Sequence, residues 1–417
     1  MTVRANQLAG LATAIAEVRP LQAPADSLLH QFFRRHPAMG QQDRAFIAEG
    51  TFAWLRRRRS LEQLALTTHP AKLALAVVVR ELGYSLRDLE PAISAVDAGW
   101  VREFKSRLGS ELSPAVAADL PDWLWERLGA TYGAEEREAL TRAWLTPAPL
   151  DLRINPLKTT RAEAQQELAA SGIVAQPTPH SPLGLRIASR PMLARHPLLV
   201  EGKVEVQDEG SQLVGYLVAP KRTDMVVDFC AGAGGKTLLL GALMRSQGRL
   251  YAFDIIDKRL ANLKLRLKRS GLSNVHPQLL ASERDTKVKR LAAKIDRVLV
   301  DAPCTGFGTL RRNPDLKWRQ TETGLAELTA KQRRILDAAA TLVKSGGRIV
   351  YATCSVLPDE NEAIIEAFLA THPAFTLGNA AAELARAGIA LDTGPTLKLY
   401  PHRHGCDGFF AAVLDRS

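Results

Sequence analysis

The stretch MVVDFCAGAGGKTLLLGALMRS, residues 225–246, decides the architecture. A short apolar run ends in Asp228, a turn carries glycines at 232, 234 and 235, and an apolar helix pattern follows at once. Glycines permit a tight turn and close backbone approach, and a helix N-terminus leaves amides free for a ligand. Outward from this stretch the same alternation repeats. The runs RLYAFD (249–254), RVLVDAP (297–303), RIVYATC (348–354) and FFAAVL (409–414) read as strands. KTLLLGALMRS, DKRLANLKLRLKRSG (257–271) and the span 321–344 read as the helices between them. Strands alternating with helices predict an α/β, Rossmann-like fold with a mostly parallel sheet, whose ligands bind at the carboxyl ends of the strands.

The 417 residues exceed one ordinary core, so two or three domains are expected. Residues 1–142 are rich in Ala, Leu and Arg with helical periodicity, as in LLHQFF and AFIAEGTFAWL, and predict an all-α domain. TPAPLDLRINPLK (146–158) breaks that pattern, and 147–205 read as a small α+β subdomain before the sheet domain, 206–417. The run Arg56–Arg59 is open to two readings, a solvated helix face or a phosphate-contacting helix end.

Lys and Arg outnumber Asp and Glu by 55 to 44, a net charge of +11, which favours a polyanionic partner such as nucleic acid. No apolar run reaches the roughly 18 residues a membrane span requires, and the first twenty residues lack a signal-peptide core. A cytoplasmic protein, a monomer with no membrane partner, is expected. The four cysteines, 230, 304, 354 and 406, form no CxxC pair and no Cys/His spacing, so reduced thiols and no metal are expected.

Three nucleotide-type readings compete for residues 228–237. A phosphate-binding P-loop needs Gly where Cys230 stands, and a dinucleotide fingerprint needs Gly where Thr237 stands. An S-adenosylmethionine loop needs only a glycine-rich turn after an acidic strand end. Asp254, at the end of the second strand, is placed to accept ribose hydroxyls, or to cap the next helix.

Two further strands end in cysteine, in Asp301-Ala-Pro-Cys304 and Tyr351-Ala-Thr-Cys354. A lone buried cysteine is usually a small core hydrophobe. Two at the active edge of one sheet, one beside an acid, point to nucleophilic chemistry. Carbon 5 of cytosine needs such a thiol, because thiolate addition to carbon 6 makes carbon 5 nucleophilic. An ordinary thiol titrates near 8.5, so forming thiolate at pH 7 costs roughly 2 kcal/mol. Lys236, Arg311 and Arg312 are the candidate cations to reduce that cost, and Asp301 is the candidate partner for the N3–N4 edge of the base.

At LRINPLK, VQDEGSQ, DFCAGAGGKT, DIIDKRL, DAPCTGFGTLRRNPDLKW, YATCSVLPDENE and DGFF the chain resembles the RsmB/Sun (Fmu) family of RNA cytosine-5 methyltransferases. The resemblance is strong from about residue 120 onward and looser before it. It implies a class I methyltransferase domain using S-adenosyl-L-methionine, with Cys354 as nucleophile and Cys304 helping to release the product. It implies that Cys230, Ala231, Gly232, Ala233, Gly234, Gly235 and Lys236 hold the methionine part of the cofactor. Asp254 would bind the ribose, Arg259 would support that region, and Asp301 would lie between cofactor and cytosine, with Lys236 facing the same site. The first 142 residues resemble a NusB-like RNA-binding domain, and the implied partner is RNA, 16S ribosomal RNA in the first place. Two departures stand out. Gly232 and Ala233 replace the family's Ala-Pro, and HPQLLASERD (276–285) lacks its Gly-Asp, leaving Ser282, Glu283 or Asp285 for the adenine.

Three rivals remain at this level. One is the same chemistry on tRNA or another ribosomal site. Another is a non-catalytic RNA-binding assembly factor, against which both cysteines and Asp301 argue. The last is a P-loop-like nucleotidase built on Gly235-Lys236-Thr237.

Overall fold

The structure is a computed structural model describing residues 2–189 and 191–417. Contacts divide the chain into a unit of residues 1–147 with 310–321, and a unit of residues 148–309 with 322–417.

The first unit is helical. Ala5–Val18, Ala25–Arg35, Gln41–Ala65 and Pro70–Arg80 put apolar residues on one face, so that Leu11, Ile15, Phe32, Trp54 and Val77 meet in a core closed to water. Further short helices complete it, the last being Ala134–Trp144. The arginine run is neither solvated nor free. Gln41–Ala65 is kinked at Arg57, and Arg56 is buried. Arg58 faces Glu62 and lies over the Trp54 and Trp318 rings, while Arg59 forks onto Asp122. The segment 310–321 returns to this unit, where Lys317 Nζ and Trp318 Nε1 donate to the carbonyls of Arg56 and Leu55.

The second unit holds two sheets. Strands β1 (Leu150–Ile154), β2 (Ala175–Pro177), β3 (Gly184–Ile187) and β4 (Val204–Val206) form an antiparallel sheet in the order β2-β3-β1-β4. The larger sheet contains β5 (Met225–Asp228), β6 (Arg249–Asp254), β7 (Val275–Leu279), β8 (Ile295–Asp301), β9 (Val343–Thr353), β10 (Phe375–Leu377), β11 (Leu397–Leu399) and β12 (Phe409–Arg416). Its order is β10-β12-β9-β8-β5-β6-β7, with β11 also on β12. The five strands β5 to β9 pair in parallel, with β7 at the edge, and β12 runs antiparallel to β9. This is the expected Rossmann-like arrangement. Strands β5, β8 and β9, buried in the middle of the sheet, read as apolar runs, which explains their clarity in sequence, whereas the edge strand β7 (VHPQL) has no buried residue and no such run.

Strand order reverses beside β5, whose neighbours are β6 on one side and β8 on the other. A crevice opens at the carboxyl ends there, because the following connections leave to opposite faces. One element differs from expectation. The helix expected over 321–344 spans Glu322–Ala340. The backbone amides of Lys294 and Ile295 capture the Leu342 carbonyl, which starts β9 at Val343, ahead of a turn at Gly346. Among the described residues no helix is long and apolar enough to cross a membrane.

Candidate active site

The crevice at the switch point is a cavity of about 590 Å³, and every residue lining it belongs to the second unit. The loop after β5 forms its floor. Gly232 and Gly234 have φ of +55° and +88°, and the latter starts the helix Gly235–Leu243. Cys230, Ala231, Gly232, Ala233, Gly235 and Lys236 line the cavity. Gly234 does not. A Cβ there would lie 2.1 Å from Leu263 Cδ1, so glycine serves the packing of the loop on helix Asp257–Ser270. Asp228 is buried, its Oδ2 takes the Thr237 hydroxyl at 2.6 Å, and its Oδ1 has no hydrogen-bond partner. Burial raises its carboxyl to about 7, against the lowering effect of Thr237.

At the end of β6 each Asp254 oxygen accepts one backbone amide. Gly232 N donates to Oδ2 at 2.9 Å, and Ile256 N donates to Oδ1 at 2.8 Å. Asp254 thus closes the turn before the helix without capping it, since the N-cap is Ile256 with no side-chain bond, and each carboxylate oxygen keeps acceptor capacity for a hydroxyl. Arg259 lies 4.0 Å from Asp254 and lines the same wall. Beyond β7, Ser282 and Glu283 line the cavity, whereas Asp285 is engaged by the amides of Ala281 and Lys287.

The thiols stand at the other wall. Cys304 follows β8 and Cys354 follows β9, and their sulfurs lie 3.4 Å apart. The hydrogen bond to Cys354, together with burial, holds Cys304 well above the usual thiol range, so it is protonated at neutral pH. Cys230 is pushed up by burial and by Asp228, and the buried Cys406 likewise by its surroundings. Lys236 Nζ donates to Asp301 Oδ2 at 2.7 Å and lies 5.2 Å from the centre of the Phe409 ring. Burial works against the ammonium, but Asp301 and the Cys354 sulfur outweigh it, and Lys236 stays charged. Of the three candidate cations, Lys236 lines the cavity, whereas Arg311 and Arg312 lie in the segment that packs into the helical unit. A phosphate-binding lysine would project along its glycine loop; this one is committed to a carboxylate.

Several residues of this site were not singled out in the sequence. Arg153 of β1 donates to the Gly235 carbonyl at 2.6 Å and to Gln207, and Gln207 lines the cavity. Gly308 N donates to the Cys354 carbonyl at 2.9 Å, and Gly408 N to the Gly308 carbonyl at 2.8 Å. A Cβ at Gly308 would lie 2.0 Å from Gly408 O, so only glycine fits there. Glu360 and Asn361 hold the segments around both cysteines. The signal was present in LRINPLK, VQDEGSQ, PDENE and DGFF, but not the pairing.

Fold and cavity together define a Rossmann-like domain with a ligand site at the carboxyl ends of its strands, and its match to known families makes it a methyltransferase. Residues 215–415 match the family model described as 16S rRNA methyltransferase RsmB/F, and residues 120–193 match the ferredoxin-like domain of RsmF/B-like methyltransferases. The probable ribosomal RNA small subunit methyltransferase B of Synechocystis sp. is 34% identical over 455 aligned positions, covering 100% of both chains. That of Bacillus subtilis is 33% identical over 70% of this chain and 66% of its own. The crystal structure of PH0851 superposes over 100% of both chains with a TM-score of 0.80 at 26% identity. The chain belongs to the RsmB/F family of methyltransferases.

Proposed function

We propose that this chain transfers a methyl group from S-adenosyl-L-methionine to carbon 5 of a cytosine in RNA, with 16S ribosomal RNA as the substrate and Cys354 adding to carbon 6. The observation that carries this reading is the pair of sulfurs 3.4 Å apart on the wall of the cavity that the glycine turn floors.

The residues present suit the cofactor. A volume of about 590 Å³ lies in the range of small-molecule sites. A Cβ at Gly232 would meet nothing within 4 Å, and one at Gly235 only Gln207 at 3.8 Å, so the loop backbone is open to a ligand. The unpartnered Asp228 Oδ1 suits the ammonium of an amino-acid end. Residues 230–233, Gly235 and Lys236 would hold the methionine part, with Gly234 shaping the turn, Asp254 with Arg259 the ribose, and Ser282 or Glu283 the adenine. When bound, S-adenosylmethionine supplies an electrophilic methyl on a sulfonium.

The chain's own residues supply the rest. Lys236, whose ammonium is kept charged in part by the Cys354 sulfur, is the cation on the nucleophile's side of the cavity. The Cys354 thiolate adds to carbon 6, and the displaced electrons enrich carbon 5. Asp301, oriented by Lys236, addresses the N3–N4 edge of the base. After methylation the carbon 5 proton leaves, the C5–C6 double bond reforms, and Cys354 departs as thiolate. Cys304 serves this second half. Its high pKa comes first from the Cys354 sulfur. That cause is first the hydrogen bond to the sulfur and, after burial, its charge. A sulfur bonded to carbon carries no charge and is a weaker acceptor, so adduct formation lessens the shift and brings Cys304 closer to acting as the base for the carbon 5 proton.

The net charge of +11 and the ribosomal RNA named for the relatives support an RNA substrate. Residues 1–142 act in this reading as a NusB-like RNA-binding domain of a cytoplasmic monomer. The test supplies purified chain with methyl-labelled S-adenosylmethionine and 16S ribosomal RNA, and maps cytosines by bisulfite sequencing in a deletion strain. Label on carbon 5 of a 16S cytosine is expected. Label on tRNA moves the substrate, and label on no cytosine removes the reading.

A further inference from the structure

We infer that Glu360 and Asn361 are positioning residues that clamp the loops after β8 and β9 together and so set the spacing of the two active-site sulfurs. This rests on the cysteine chemistry proposed above, but its geometry is independent of it. Glu360 is fully buried. Its Oε1 accepts from Thr305 N at 2.8 Å and from Gln332 Nε2 at 3.0 Å, and its Oε2 accepts from Thr305 Oγ1 at 2.5 Å. Thr305 directly follows Cys304. The Thr305 and Ser355 hydroxyls are 3.3 Å apart, and Ser355, which directly follows Cys354, also bonds Glu360. Gln332 reaches back to the carbonyl of Pro303, the residue before Cys304, at 3.0 Å. One carboxylate thus holds both flanks of Cys304 and the residue after Cys354.

Asn361 holds the other loop. Thr353 Oγ1 donates to its Oδ1 at 2.5 Å, and its Nδ2 donates to the Ser355 carbonyl at 3.2 Å, so Cys354 is gripped on both sides. The Tyr351 hydroxyl donates to the Glu360 carbonyl at 2.7 Å and fixes the dipeptide to β9. A carboxyl closed to water is expensive unless its lone pairs are satisfied, and here four neutral donors satisfy them. An apolar side chain would fill the space at lower cost but could not tie two loops together. Glu360 itself reaches no sulfur and acts through Thr305 and Ser355.

Two variants test this. Glu360→Gln removes one acceptor at nearly constant shape, and Thr305→Val removes the hydroxyl between Glu360 and Ser355. The first readout is phenylarsine oxide, which bridges two adjacent thiols and releases its oxygen as water. The unaltered protein should bind one arsenical tightly, and each variant should bind it about tenfold more weakly. The second readout is methyl transfer to RNA. First-turnover transfer should change by less than about threefold, while steady-state turnover falls about tenfold and a denaturation-resistant protein–RNA complex accumulates. Unchanged arsenical affinity in a variant melting at the normal temperature overturns the inference. So does an equal fall of both rates. Where Glu360→Gln lowers the melting temperature, Thr305→Val decides. The arsenical result stands even if the unaltered chain methylates no cytosine, so a failed functional reading is distinguishable from a failed clamp.

Discussion

Cys304 and Cys354 lie fifty residues apart in sequence, on loops following two adjacent parallel strands, and their sulfurs are 3.4 Å apart. Parallel register places Asp301 opposite Ala352, so residues three and two positions further on emerge side by side. Sheet geometry alone brings the thiols into one neighbourhood. The hydrogen bonds around Thr305 and Ser355 then fix their distance.

The two thiols should fail differently. Cys354→Ala should abolish methyl transfer and the covalent RNA complex together, because burial keeps the neighbouring thiol, Cys304, protonated and it cannot take its place as nucleophile. Cys304→Ala should leave addition intact and block release, so that a complex surviving denaturation accumulates on a gel. Normal product release by Cys304→Ala would remove its assigned role. With the wild type, the lifetime of the complex should shorten as pH rises above neutral. Cys304 is held above the ordinary thiol range, so its basic form becomes more populated as protons are withdrawn.

Ligand binding to the native state alone raises its stability by mass action. S-adenosylmethionine at about a hundred times its dissociation constant should add roughly 2.7 kcal/mol and raise the melting temperature by several degrees. ATP should leave it unchanged. Stabilisation by ATP and not by S-adenosylmethionine would restore the phosphate-loop reading of residues 230–237.

Lys236 and Asp301 act as one unit, so their variants should not add. Lys236→Met leaves a half-buried carboxylate without its cation, and Asp301→Asn leaves a buried ammonium without its anion. Each single change should lower kcat/KM by about 10²-fold or more, and the double variant should lose far less than the product of the two. Multiplicative losses in single-turnover assays would show two independent roles.

Four of the five parallel strands, and the residues at their carboxyl ends, were legible because both carry local signals; the exposed edge strand β7 (VHPQL) carries none. A buried parallel strand is a continuous apolar run, and its functional end is marked by an acid, a glycine turn or a cysteine. Asp228, Asp254, Asp301 and Cys354 all stand at such ends. The clamp at Glu360, the Arg153–Gly235 bond and the Gly308–Gly408 approach were not legible in this way, since each joins residues distant in sequence and leaves no periodic trace. The same holds for residues 310–321. Their motif reads continuously from Cys304, yet the chain crosses there into the helical unit, where Lys317 and Trp318 find carbonyl partners.

Lys317 offers a test of that helical unit without reference to catalysis. Its side chain is 1% exposed, and Nζ donates to the Arg56 carbonyl at 2.8 Å. Burial lowers it to about 7 from an ordinary value of 10.5, only partly opposed by Asp119 and reinforced by Arg56 and Arg57. Between those two values the unfolded chain holds a proton that the folded chain has released. Unfolding then takes up protons, so stability rises with pH across that window, by up to about 1.4 kcal/mol per pH unit. Below pH 7 the cost of burying the ammonium is present in full. Chemical denaturation followed through the tryptophans of this unit should therefore show increasing stability from pH 7 toward pH 10. Lys317→Met should flatten that slope. The slope is the quantity to compare, because Met also leaves the Arg56 carbonyl without its donor and shifts stability equally at every pH. Identical slopes in the two proteins would mean that Lys317 stays protonated inside the fold.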